Sequence, residues 1–126
     1  MTTQLPDLLS IPPPREEAIR RMAAHLVRNR RAVLSTHINA DGDGCGSEAA
    51  LARLLAQRGV SCTIVNPTLW PSMFDFLKGG DVVDRSPDGA RALNGADLLI
   101  VLDISDVKRL GVLAEAVRAM KVPRLV

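Results

Sequence analysis

Ser35-Thr36-His37-Ile38-Asn39-Ala40-Asp41-Gly42-Asp43-Gly44-Cys45-Gly46-Ser47 is the stretch from which the fold of this chain can be read. It follows the apolar run Ala32-Val33-Leu34 and precedes a helical pattern running from Ala49 to Arg58. It therefore reads as the loop between a first strand, about Ala32 to Thr36, and the helix after it. His37, Asp41 and Asp43 stand close together, with Gly42, Gly44 and Gly46 among and just after them. One imidazole and two carboxylates form a donor set suited to Mn, Fe or Zn. Glycine lets the backbone turn tightly enough for such side chains to converge.

Upstream, Met1 to Pro14 reads as a Pro-rich leader, with Pro12-Pro13-Pro14 too stiff for a helix interior. Pro14 can open a helix, and Glu16-Glu17 suit its positive end. Ile19, Met22, Ala23, Leu26 and Val27 then recur at helical spacing and predict one apolar face. Arg20, Arg21 and Arg28 point elsewhere, as a solvated face.

Downstream, Ala50, Leu51, Leu54 and Leu55 are the expected core face of the second helix. Ser47 is placed to help cap it, and Gly59 ends it. Cys62 to Val65 reads as a second strand, broken by Asn66-Pro67. Trp70 to Lys78 reads as a loop with one helical turn, its three aromatics forming a local cluster. Val82-Val83 reads as a short edge strand, and weak helical signal runs through Leu93 to a break at Gly95. Leu98 to Leu102 is continuously apolar, as a central parallel strand requires, and runs into Asp103. Leu110, Leu113, Ala114, Val117 and Met120 predict a last helix, closed by Pro123. A further strand starts at Arg124, and the expectation is a piece of a longer protein.

Strands alternating with helices predict an open, mostly parallel α/β sheet with helices on both faces, over residues 15–126. Function in such sheets gathers at the carboxyl ends of the strands. His37, Asp41 and Asp43 follow the first strand, and Asp103 ends the buried one. A carboxylate entering an apolar run needs a partner there. Asp106, slightly further on, suits a cap.

The 126 residues fit one domain, and a net charge of +2 gives no reason to expect a nucleic-acid or membrane surface. Three aromatics in one short segment are too few for a stacking groove. Cys45 and Cys62 lack disulfide or zinc spacing, which fits a reducing cytoplasm. No run approaches the roughly 18 apolar residues of a membrane span. A soluble, cytoplasmic protein is the expectation.

Other readings of the loop fare worse. Asn39-x-Asp41-x-Asp43-Gly44 resembles the opening of an EF-hand, but the twelfth position is Ala50, where a bidentate Glu is needed. Gly44-x-Gly46-x-x-Ala49 fits a dinucleotide fingerprint, yet Asp41 and Asp43 would face a pyrophosphate and no acidic residue closes the second strand. Plain turn and cap roles would suit any one of these residues. They leave the joint occurrence of His37, Asp41, Asp43 and Asp103 unexplained.

Thr36 to Ser47 resembles the first motif of the DHH phosphoesterases: His, three residues, Asp-Gly-Asp, two residues, Gly-Ser. Leu102-Asp103-Ile104-Ser105-Asp106, with Arg109-Leu110-Gly111, resembles their second. Asn66-Pro67 and Phe76-Leu77 resemble the subgroup of nano-RNases and pAp phosphatases. The resemblance implies a two-Mn site, with His37 and Asp41 on one ion, Asp43 on the other and Asp103 bridging. It implies hydrolysis of phosphodiesters or phosphomonoesters in short oligoribonucleotides, pAp, cyclic dinucleotides, single-stranded DNA or polyphosphate. Lys108 and Arg109 become candidates for contacting substrate phosphate. The Asp-His-His motif that names the family is not within these 126 residues, nor is a substrate-binding domain. A weakly active or inactive chain is the corresponding expectation. A non-catalytic nucleotide-binding or regulatory α/β module is the alternative.

Overall fold

The computed structural model describes residues 10–126; the start of the expected leader, residues 1–9, lies outside them. Four strands form one all-parallel sheet: β1 (Arg31–Ser35), β2 (Ser61–Ile64), β3 (Leu98–Val101) and β4 (Arg124–Leu125), in the order β2-β1-β3-β4. β1 and β3 lie side by side, with Ala32 opposite Leu98 and Ser35 opposite Val101. Chain order reverses between them, and a crevice opens beyond their carboxyl ends at such a point.

The sheet is buried on both faces, as its apolar strands require. On one face Ala32, Leu34, Leu98 and Ile100 pack with Cys45, Ala49, Ala52 and Leu55 of helix α2 (Gly42–Gln57). On the other, Val33, Leu99 and Val101 pack with Leu110, Leu113, Ala114 and Val117. Among the described residues no helix is long and apolar enough to cross a membrane.

Several elements differ from the sequence expectation. Helix α1 (Pro13–Ala23) takes in Pro13 and Pro14 and stops well before Arg28. None of its residues is buried: Ile19 is 45% exposed and Met22 39%. Only Leu26, in the turn beyond it, packs partly against the core. α2 begins earlier than expected, because Asp41 rather than Ser47 is its N-cap and accepts from the Gly44 N–H at 2.8 Å. Its buried stripe is Cys45, Glu48, Ala49, Ala52 and Leu55, whereas Ala50 and Leu54 face solvent. Small side chains on that stripe allow the helix to sit close on the sheet.

Val82-Val83 is not a strand. A single bridge joins Ile64 to Asp84, with the Ile64 N–H donating to the Val83 carbonyl at 2.8 Å. The aromatic loop contains a 3-10 turn (Ser72–Phe74) and the short helix α3 (Asp75–Lys78). Trp70 and Phe74 join the core, with the Lys78 ammonium 5.3 Å from the Trp70 ring centre, but Phe76 is 78% exposed. The last predicted helix is a 3-10 segment (Val107–Leu113), kinked at Gly111, followed by α4 (Ala114–Ala119). Gly111 has φ +50°, and a Cβ there would meet Ile38 Cγ2 at 2.8 Å, so glycine is needed.

Candidate metal centre

The strand register brings the site together. His37 stands two residues beyond Ser35, and Asp103 two beyond Val101, its register partner. Both side chains therefore leave the sheet at the same level. Thr36 fastens the two ends, its hydroxyl donating to the Leu102 carbonyl at 2.9 Å. The Ile38 N–H donates to the Arg109 carbonyl at 2.9 Å, and the Asn39 N–H to the Thr68 hydroxyl at 2.8 Å. The loop is held at three points before Asp41 starts α2.

The approach of α2 explains a glycine in the motif. A Cβ at Gly44 would lie 2.8 Å from Thr36 Oγ1 and 3.0 Å from its Cγ2. Any side chain there would push the helix off the strand end that carries His37. Asn39 and Asp103 both adopt positive φ, at 53° and 63°. Asn and Asp tolerate this left-handed conformation better than most residues, and it turns the chain sharply after β3.

His37, Asp41 and Asp103 converge. Nε2 of His37 is 3.6 Å from Asp41 Oδ1 and 3.6 Å from Asp103 Oδ2, and the three donor atoms all lie within 4.8 Å of one another. The imidazole is buried, while both carboxylates open to solvent. Nδ1 of His37 lies 2.7 Å from the Ile38 carbonyl, which can only accept. That places the hydrogen of a neutral ring on Nδ1 and leaves the Nε2 lone pair facing two oxygens. Three electron-pair donors held this close repel unless a cation or a proton lies between them. Ligands about 2.1 Å from one cation make donor–donor edges of roughly 3–3.4 Å, and the two edges from His37 Nε2 are 3.6 Å each. A backbone carbonyl on the far nitrogen is a common support for a metal-binding imidazole.

The Gly44 N–H bond, followed by the proximity of His37, holds the Asp41 carboxyl below its ordinary range, with partial desolvation acting the other way. The positive end of α2 favours the same ionised form. Asp43, exposed in the first turn of α2, is outside the three-residue group. Asp106 accepts from the Lys108 N–H at 2.9 Å and caps the 3-10 segment, as expected. Lys108 and Arg109 are exposed beside it. His25 lies beyond α1, away from this group.

Two residues that build the site were not among the candidate site residues of the sequence. Asn66, read as a strand breaker, is buried, and its Oδ1 accepts from the Thr36 N–H at 2.9 Å. Glu48, one helical turn beyond Gly44, is fully buried and accepts from Asn66 Nδ2 at 2.9 Å. For Glu48 a packing signal lay in the Cys45-Ala49-Ala52 stripe, on which position 48 also falls.

Comparison with protein-family models gives no match, and comparison with curated protein sequences gives none either. Among solved structures, the chain is similar to an exopolyphosphatase-related protein from Bacteroides fragilis, at a TM-score of 0.76 and 19% identity. The likeness covers 95% of this chain and 35% of that one, so the chain spans about a third of that protein's length. At this identity what is shared is the fold: a parallel α/β sheet with helices on both faces.

Proposed function

We propose that this chain is the N-terminal part of a DHH-type, metal-dependent phosphoesterase. The observation that carries the reading is the convergence of His37, Asp41 and Asp103 at the carboxyl edge of β1 and β3. The exopolyphosphatase-related neighbour supports a phosphoester or phosphoanhydride hydrolase at the coarse level. His37 and Asp41 would hold one Mn ion, Asp43 a second, and Asp103 would bridge them. Two such ions supply a water acidified for attack and a clamp for the charge of the phosphoryl group. Among the described residues the cluster of three supports one ion position, and Asp43 lies outside it.

The residues themselves perform definable tasks. The Ile38 carbonyl fixes the ring of His37 so that Nε2 faces the site. Asp41 caps α2 with the same oxygen that faces His37, coupling helix position to donor position. Lys108 and Arg109 lie on the segment after Asp103, where a phosphate oxygen could be met. The substrate class proposed is a small nucleotide such as pAp or a short single-stranded oligonucleotide, in the cytoplasm. The unbridged thiols of Cys45 and Cys62 suit that compartment.

The test is phosphate release from pAp, and shortening of a five-nucleotide RNA, by the protein that contains this chain. Activity should require added Mn and fall by more than about a hundredfold in Asp103→Ala. Hydrolysis indifferent to Mn, or to loss of Asp103, contradicts the reading. Nucleotide binding without turnover in either assay would favour the regulatory module.

A further inference from the structure

Glu48 lies under the candidate site and is 0% exposed. Its Oε1 accepts from Asn66 Nδ2, and its Oε2 has no hydrogen-bond partner. Asn66 is held on three sides. Its N–H donates to Ser86 Oγ at 2.8 Å, its Oδ1 accepts from Thr36 N, and its Nδ2 donates to Glu48. The Thr36 N–H can only donate, so the oxygen of the Asn66 amide must face it. The amide NH2 is left for Glu48, which must then present an acceptor. Thr36 adjoins His37 and also holds the residue before Asp103.

We propose that Glu48 is a positioning residue for His37: acting as a neutral carboxylic acid, it orients the Asn66 amide that holds the end of β1. Among the described residues no cation is paired with it. Lys78, the nearby ammonium, lies 3.5 Å from Asp84 and 3.9 Å from Asp75. Asp84, on the segment bridged to β2, accepts from the Ser86 N–H and hydroxyl and faces Glu48 with like charge. Cys45, on the same helix, is a buried thiol that burial pushes up to about 11, with further push from Glu48. An ionised carboxylate sealed among these groups with one neutral donor would be costly, and protonation removes the cost. Burial accordingly pushes the Glu48 carboxyl up to about 8, against the Asn66 hydrogen bond, with Asp84 adding to the rise.

The test is carbon and nitrogen NMR on the isotopically labelled, metal-free chain. The side-chain carboxyl carbon of Glu48 should titrate near 8. The His37 ring nitrogens should show a step at the Glu48 midpoint in the wild type, and none in Glu48→Gln, which keeps a neutral acceptor. Glu48→Ala should move the His37 ring signals at every pH and speed exchange of the Thr36 amide by about tenfold or more. Titration of Glu48 near its unburied value of 4.5 overturns the proposal, as do His37 and Thr36 signals unchanged in Glu48→Ala. Should Glu48→Ala fail to fold, the wild type and Glu48→Gln decide: a His37 step in both, or in neither, overturns it. Because no metal is present, these outcomes are separate from success or failure of the proposed phosphoesterase site.

Discussion

Helices α1 and α2 both show apolar residues at helical spacing, yet one lies exposed and the other forms half the core. α1 has larger apolar side chains in Ile19 and Met22, and none of its residues is buried. α2 buries glycine, cysteine, alanine and glutamate along with Leu55. The difference lies in what each helix is tied to. α2 is seated on the end of β1 by the close approach of Gly44 to Thr36. For α1, a hydrogen-bonded anchor such as the Glu16–Arg20 pair is internal to the helix. Apolar spacing proposes a face; a close contact at one end determines whether the face is used.

That contrast can be tested by substitution. Leu55→Ala should cost about 2–5 kcal/mol, because Leu55 is 1% exposed in a packed cluster. Chemical denaturation would measure it, and a loss under about 1 kcal/mol would mean that α2 is loosely seated. Next comes a pH effect from Glu48. Its folded-state pKa is raised from 4.5 to about 8, so the folded form holds its proton more tightly than the unfolded form. Its stabilising contribution is complete below the unfolded value and is lost as pH rises through about 8. Melting temperature should therefore fall across that window in the wild type, and the fall should be much smaller in Glu48→Gln.

Gly44→Ala should cost about 1–3 kcal/mol, since the short, hydrogen-bonded Thr36 side chain has little room to yield. On α1 the effects should be slight. Ile19→Ser or Met22→Ala should change stability by less than about 0.5 kcal/mol. A larger loss on α1 would show that its apolar face is covered in solution.

The residues that were legible in the sequence share a physical reason. Leu98 to Leu102 could only be a buried strand, so Asp103 had to emerge at a sheet edge, and the parallel register with β1 brought it to His37. Asp41 was legible as part of a dense donor cluster, although its second task, capping α2, was assigned to Ser47. A turn-forming Asp-Gly is ambiguous about whether a helix has already begun. Glu48 was not legible as a buried group because glutamate on a helix ordinarily faces water. Its position becomes clear only once Cys45, Ala49 and Ala52 are taken as the stripe. The end of α1 was overrun for the opposite reason: Leu26 and Val27 continue the helical spacing, while turns at His25 and Leu26 and a positive φ at Asn29 break the helix.

The central claim, that two strand ends meet around a cation, is tested most directly by calorimetric titration of the chain with Mn. Wild type should bind, Asp103→Ala and His37→Ala should each weaken binding by more than about tenfold, and Asp43→Ala should weaken it less. No binding by the wild type, or an affinity unchanged by Asp103→Ala, would contradict it.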